Sequence, residues 1–205
     1  MKLQTVDRLF ERIKKYDCWI FDIDNTIYDQ CEYDKYIFET IELKLEGDFE
    51  VCGLSRYLMD KKILHGPLYD KLFNDAVEYF KLDESELVFM IDFYRSFLPP
   101  AEIKNSLVGR IRNEFDDRKL FAVTNGHKKI QRHKVNMLGL KPLFTDIVFC
   151  EKSSPETLKP NIWAWNEIRR NYDIKSAVMI GDSIDIDGGF ANACGIDFYH
   201  FEYRL

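Results

Sequence analysis

No Cys-x-x-Cys pair occurs in these 205 residues, and the five cysteines, Cys18, Cys31, Cys52, Cys150 and Cys194, are odd in number and scattered. Such usage shows no pairing pattern and points to reduced thiols in a cytoplasmic setting. No apolar run approaches the roughly 18 residues of a membrane span, and no charged-then-apolar leader opens the chain. Membrane spanning and secretion are therefore not expected. A basic excess is missing too: 35 acidic against 29 basic residues leave a formal charge of -6. That balance argues against binding a nucleic-acid polymer or a membrane surface. It leaves room for an anionic small molecule, because a metal ion, a lysine and helix amino termini make a site locally positive. Internal repeats, low-complexity tracts and linkers are absent as well.

What is present is ample core material, 46% hydrophobic residues and 15% aromatics. A chain of this size forms one substantial domain, or one domain carrying a sizeable insertion. Val6, Leu9, Phe10 and Ile13 recur at the spacing of an amphipathic helix within Thr5 to Lys15. The apolar run Cys18-Trp19-Ile20-Phe21 reads as a buried strand. From about Asp29 to Asp116 strands disappear, and the apolar residues keep helical spacing through Tyr33, Ile37 and Ile41, then Leu72, Phe73, Val77 and Phe80. Asp83 with Glu86 predicts an amino-terminal cap for Leu87 to Phe97, which Pro99-Pro100 closes. Ala101 to Phe115 reads as a further helix. The second half alternates: strands at Leu120 to Val123, Asp146 to Cys150, Ala177 to Ile180 and Asp197 to Phe201, with helices at Lys128 to Leu138, Pro160 to Tyr172 and Phe190 to Cys194. Alternation of this kind implies right-handed crossovers and a parallel sheet. The expected fold is α/β, a doubly wound parallel core of residues 1–28 and 115–205, with an all-helical cap of residues 29–114 inserted after the first strand.

In such sheets ligands bind beyond the carboxyl ends of the strands, and three strand ends here carry suitable groups. The first leads into Asp22-Ile23-Asp24-Asn25-Thr26, two carboxylates two residues apart on one face. Like charges held that close need a cation or a shared proton. The second leads into Thr124-Asn125-Gly126, a hydroxyl, backbone amides and a flexible glycine ahead of a helix, a combination suited to a phosphoryl oxygen. The fourth leads into Gly181-Asp182-Ser183-Ile184-Asp185-Ile186-Asp187, a second carboxylate cluster. Lys159-Pro160 opens the helix after the third strand and supplies a single ammonium.

This ordered set resembles the haloacid dehalogenase-like hydrolase superfamily, most of whose members are phosphatases. The resemblance covers roughly residues 18–28 and 119–195, and the run from Phe21 to Tyr28 is similar to the pyrimidine 5′-nucleotidase-like branch. It implies a Mg²⁺-dependent phosphomonoesterase acting on a small phosphate ester, such as a nucleotide or sugar phosphate. Asp22 is then the nucleophile, and Asp24 the general acid and later the base. Asp22, Asp182 and the main-chain carbonyl of Asp24 hold Mg²⁺. Thr124, Asn125, Gly126 and Lys159 bind the phosphoryl group, with Lys159 also serving the catalytic charge balance. Asp187 supports the metal's water shell, and Thr26 either fixes the turn or touches substrate. The chain stops soon after its fifth expected strand, where many members of the superfamily continue. A haloacid dehalogenase, a phosphomutase and a catalytically idle phospho-ligand binder remain as alternatives. Carbon–halogen displacement needs no acid on its leaving group, so Asp24 speaks against the first.

Other residues have plainer readings. Asp185 reads as a solvated loop acid, His127, His133 and His200 as surface residues, and Trp163 and Trp165 as packing. Tyr28, Tyr36, His65, Tyr94 and Arg95 are first of all structural, and the aromatic richness of the insert is its own core.

Overall fold

Every residue of the first strand, β1 (Cys18–Phe21), is buried, as a strand must be when both faces of a parallel sheet are covered by helices. The computed structural model describes residues 3–45, 51–66, 69–97, 106–114 and 118–203. Four more strands, β2 (Lys119–Gly126), β3 (Asp146–Glu151), β4 (Ala177–Gly181) and β5 (Asp197–His200), complete a sheet of order β3-β2-β1-β4-β5. All four pairings are parallel. Strand order therefore reverses at β1, and the crevice between the carboxyl ends of β1 and β4 is the topological switch point of the sheet. The register sets Phe21 opposite Ala122 on one side and Ile180 on the other. The Asp22 amide continues the ladder to the Ile180 carbonyl at 2.8 Å, which brings Asp22 level with Gly181.

The helices α1 (Leu3–Ile13), α2 (Gln30–Leu45), α3 (Leu54–His65), α4 (Leu72–Phe80), α5 (Glu84–Ser96), α6 (Ser106–Glu114), α7 (Lys128–Met137), α8 (Trp163–Asn171) and α9 (Gly189–Cys194) follow the expected alternation. Chain contacts divide the protein into two compact units, 1–29 with 101–205, and 30–100. The first holds the sheet. Its core joins Ile20, Phe121, Val123 and Met179 to Trp165, Ile168 and Phe190, and each such buried side chain contributes roughly 1.5–3 kcal/mol. The Trp19 indole N–H donates to the Ile13 carbonyl at 2.8 Å, so the end of α1 is tied to β1 without an orphaned polar group. Burial pushes the Cys18 thiol up to about 12 and the Cys150 thiol to about 11, which leaves both as unreactive core residues.

Every described element of the second unit is a helix, and several of its buried polar groups pair with one another. Phe38 stacks on Tyr94 and meets Phe73 edge-on. Buried Asp34 accepts from Gln30 at 2.7 Å and Tyr94 at 2.9 Å and is ion-paired with Lys62, a network joining α2, α3 and α5. Glu42 accepts the Gly53 and Ser55 amides at 2.7 Å each, satisfying donors at the amino terminus of α3. Asp83 and Glu86 form the expected reciprocal capping box on α5.

Three details depart from the sequence reading. Helix α6 belongs to the unit that holds the sheet, not to the insert expected to run to residue 114. Strand β2 continues through Thr124-Asn125-Gly126, because β3 pairs with those residues too. Helix α8 begins at Trp163 instead of Pro160, and the Asn161 side chain accepts the Trp163 amide at 2.9 Å in an Asx turn just ahead of it. Pro99, Pro100, residues 101–105 and Phe115 lie outside the described residues. Among the described residues no helix is long and apolar enough to cross a membrane.

Central-strand packing makes the fold sensitive at β1. Ile20→Ala should lower the unfolding free energy by about 2–5 kcal/mol, while Ile63→Ala, at a residue 72% exposed, should stay within about 0.5 kcal/mol. Urea denaturation of both variants checks the contrast.

Candidate active site and metal centre

Beyond Phe21 the chain turns sharply. Asn25 sits in the left-handed region at φ 57°, which asparagine tolerates, and the Ile27 amide closes the turn on the Ile23 carbonyl at 2.9 Å. The two acids of this turn separate. Asp22 faces the switch-point crevice, where carboxylate oxygens of Asp22, Asp182 and Asp187 lie within 4.8 Å of one another. Lys159 closes the group: its Nζ is 2.6 Å from Asp22 Oδ1 and 2.6 Å from Asp187 Oδ1. Its own backbone is clamped, the Lys159 amide donating to Asn125 Oδ1 at 2.9 Å and Asn125 Nδ2 donating to the Lys159 carbonyl at 3.0 Å. The end of β2 thus sets the position of the lysine that serves β1.

The fourth strand end is shaped by close approach. Gly181 is the residue that admits Asp187, since a methyl at 181 would lie 2.6 Å from Asp187 Cβ and overlap its carboxylate. The Ser183 amide donates to Asp187 Oδ2 at 3.2 Å, and the Ile186 amide to Ser183 Oγ at 3.1 Å. Asp187 is therefore buried in the cluster, not simply a cap, while Asp185 is exposed. Gly126 has φ 147°, and a side chain there would meet Gln131 Nε2 at 2.8 Å. Thr124 Oγ1 and Thr26 Oγ1 are buried with no hydrogen-bond partner among the described residues. Unmet buried hydroxyls are rare, and the one on Thr124 stands at the strand end where a phosphoryl oxygen was expected.

Asp24 is held elsewhere. Lys134 Nζ lies 2.8 Å from its Oδ1 and 2.9 Å from its Oδ2. Gln131 Nε2 donates to Oδ2 at 2.9 Å, and Tyr28 OH donates to Oδ1 at 2.7 Å.

Charges follow this division. Burial is the main cause that raises the Asp22 carboxyl well above its ordinary range; Lys159 opposes it, and Asp187 and Asp24 add to it. Burial, then the charge of Asp187, raises Asp182 to about 6. For Lys159 burial works against the charge, but Asp22 and Asp187 outweigh it and the lysine stays firmly protonated. For Asp24 burial is likewise the largest cause and an upward one, yet Lys134, Gln131 and Tyr28 together bring it below the ordinary carboxylate range.

The haloacid dehalogenase-like hydrolase family matches residues 16–195. The chain belongs to this family. The pyrimidine 5′-nucleotidase PynA of Streptococcus pneumoniae is 27% identical over 206 aligned positions, covering 89% of this chain and 82% of that protein. Among solved structures, the magnesium-bound HAD-hydrolase YfnB of Bacillus subtilis superposes with a TM-score of 0.68 at 18% identity, covering 89% of this chain and 85% of that one. A β-phosphoglucomutase structure from Thermotoga maritima gives 0.61 at 16% identity, with coverage of 89% and 84%. At these identities the structures speak for the fold.

In this haloacid dehalogenase-like hydrolase, three converging carboxylates against one ammonium leave negative charge that a proton or a cation must relieve. Oxygen donors from Asp22, Asp182 and Asp187 suit a hard divalent ion. The sequence reading gave no role to Gln131, Lys134 or His200. Gln131 and Lys134 are polar positions three residues apart on the buried face of α7, beside Val135, and that mismatch with an apolar stripe was the available signal. His200 Nε2 lies 2.8 Å from the Asp182 carbonyl, and the amides of Phe201 and Tyr203 donate to the carbonyls of Gly181 and Asn25 at 2.9 and 2.6 Å. These contacts pin the two acid-bearing turns from the β5 side and have no signature in sequence. Tyr36 and His65 stack on Phe97 and Tyr69 within the helical unit, and Trp165 is core.

Two outcomes test the centre. Without metal the folded chain keeps on Asp182 a proton that the unfolded chain, titrating at 3.8, has lost, so stability should fall as pH rises from 3.8 to about 6. Mg²⁺ binds the ionised carboxylates. At a hundredfold excess over Kd it should raise Tm by about 5–10 °C near pH 7.5 and by clearly less near pH 5, read by thermal melts with and without chelator. Gly181→Ala, which displaces Asp187, should remove most of that rise.

Proposed function

We propose that the protein is a Mg²⁺-dependent phosphomonoesterase working through an aspartyl-phosphate on Asp22. The observation that carries this reading is the meeting of the Asp22, Asp182 and Asp187 carboxylates around the Lys159 ammonium, beside the unmet hydroxyl of Thr124. Asp22, Asp182 and the main-chain carbonyl of Asp24 would hold the metal, with Asp187 behind them, and the ion supplies charge neutralisation for the transferring group. Thr124, the backbone of Asn125 and Gly126, and Lys159 bind the phosphoryl oxygens. Thr26 supports the turn.

An Asp22 carboxylate oxygen attacks phosphorus, the ester P–O bond breaks, and the departing alkoxide takes a proton from Asp24. Water then attacks the phosphorus of the aspartyl-phosphate while Asp24 takes up its proton, and the bond from Asp22 to phosphorus breaks. The first of these tasks requires a proton on Asp24, which the Lys134 ion pair opposes. The second requires the carboxylate, which that pair favours. Positioning and charge stabilisation supply most of the catalysis in phosphoryl transfer, so this set of residues is sufficient. The same reading assigns selection of the leaving group to the helical unit 30–100. The likeness to PynA supports trying pyrimidine nucleoside 5′-monophosphates first, followed by sugar phosphates.

The test is inorganic phosphate released from a panel of metabolite phosphates and an aryl phosphate, with and without Mg²⁺. Metal-dependent release is expected, and halide release from 2-haloacids is not. Asp22→Asn should lower kcat by on the order of 10⁴-fold or more with an unchanged circular dichroism spectrum. Appreciable remaining turnover would assign the nucleophile to another residue.

A further inference from the structure

Lys134 is 3% exposed, on the inner face of α7, a helix whose other buried positions are Gln131 and Val135. A buried ion pair is weak evidence for stability, since apolar residues of similar volume commonly serve at least as well. Stability therefore does not explain why a lysine stands there. Its partner does. Both Asp24 oxygens are taken up twice over, Oδ1 by Lys134 and Tyr28 and Oδ2 by Lys134 and Gln131. Four contacts from three side chains fix a carboxylate's direction as well as its place. Gln131 Nε2 also reaches the Asn125 carbonyl at 3.1 Å, and α7 begins at Lys128, with only His127 between it and Gly126. One helix thus joins the phosphate-binding turn to the side chain meant to move protons at the leaving oxygen.

We propose that Lys134, assisted by Gln131 and Tyr28, is a positioning residue that aims the Asp24 carboxylate for proton transfer. This rests on the reading of Asp24 given above. The lysine ammonium meets both oxygens of Asp24. It acts through Asp24, so its removal affects turnover and not the capture of phosphate.

The experiment is a double-mutant cycle on the full chain with Mg²⁺ and the best substrate of the panel. Lys134→Met should lower kcat about 100-fold, the range expected when proton transfer is lost, with KM within about twofold. In an Asp24→Asn background the same change should lower kcat no further, because the group it aims is gone. A purely structural lysine would cost as much in both backgrounds, and that result overturns the proposal, as does a Lys134→Met kcat within about twofold of wild type. Should Lys134→Met not fold with Asp24 left unpaired, Gln131→Leu carries the same test. It keeps the ion pair, removes the hydrogen bonds to Asp24 and to the Asn125 carbonyl, and should cost about five- to tenfold in kcat with wild-type Asp24 and clearly less in Asp24→Asn; an equal cost in both backgrounds overturns the proposal. Wild-type protein that releases phosphate from no ester overturns the phosphatase reading itself. That outcome differs visibly from an active enzyme indifferent to position 134.

Discussion

One ammonium group organises the carboxyl end of this sheet. Lys159 is almost wholly buried between Asp22 and Asp187 at 2.6 Å from each, and without it these acids and Asp182 could not share so small a volume in ionised form. Everything near it serves that contact. Asn125 holds the lysine backbone from the end of β2, Gly181 leaves room for Asp187, and the tight turn at Ser183 returns Asp187 toward the strand it follows. One cation against three acids is also an incomplete neutralisation. Burial first, and that deficit after it, raise the Asp22 and Asp182 carboxyls, and a divalent cation would relieve the repulsion.

The sheet explains why these residues can meet at all. Asp22, Asn125, Lys159 and Asp182 are scattered over 160 positions, but parallel strands deliver all their carboxyl ends to one edge. The reversal of strand order at β1 then opens a crevice there, between β1 and β4. The edge strand β5 adds a brace, through contacts from His200, Phe201 and Tyr203 to the turns that carry the acids. The helical unit, by contrast, satisfies its own buried charges. Within it Asp34 joins Lys62, Tyr94 and Gln30 in one buried network.

The pair of acids after β1 illustrates how one motif is divided by its surroundings. Asp22 and Asp24 are two residues apart, yet one meets a cluster of carboxylates and the other a lysine, an amide and a phenol. Their carboxyls shift in opposite directions. In the bare site this separation runs against the proposed roles, since a nucleophile must be ionised and an acid must carry a proton.

Sequence alone determined the alternation of strands and helices, the run of helices after the first strand, the capping box at Asp83 and Glu86, and the four polar segments, three at strand ends and one at Lys159-Pro160. Each is a local signal, written in periodicity or in short spacing. It could not tell that Ser106–Glu114 packs with the sheet unit, because an amphipathic helix does not specify which apolar surface it covers. Nor could it place both acids of the first turn: strand geometry points residues i and i+2 the same way, but the strand ends at Phe21 and both acids lie beyond it. Lys134, Gln131 and His200 became visible only in three dimensions. A hydrogen bond between residues 110 positions apart depends on helix packing, which no spacing in the chain records.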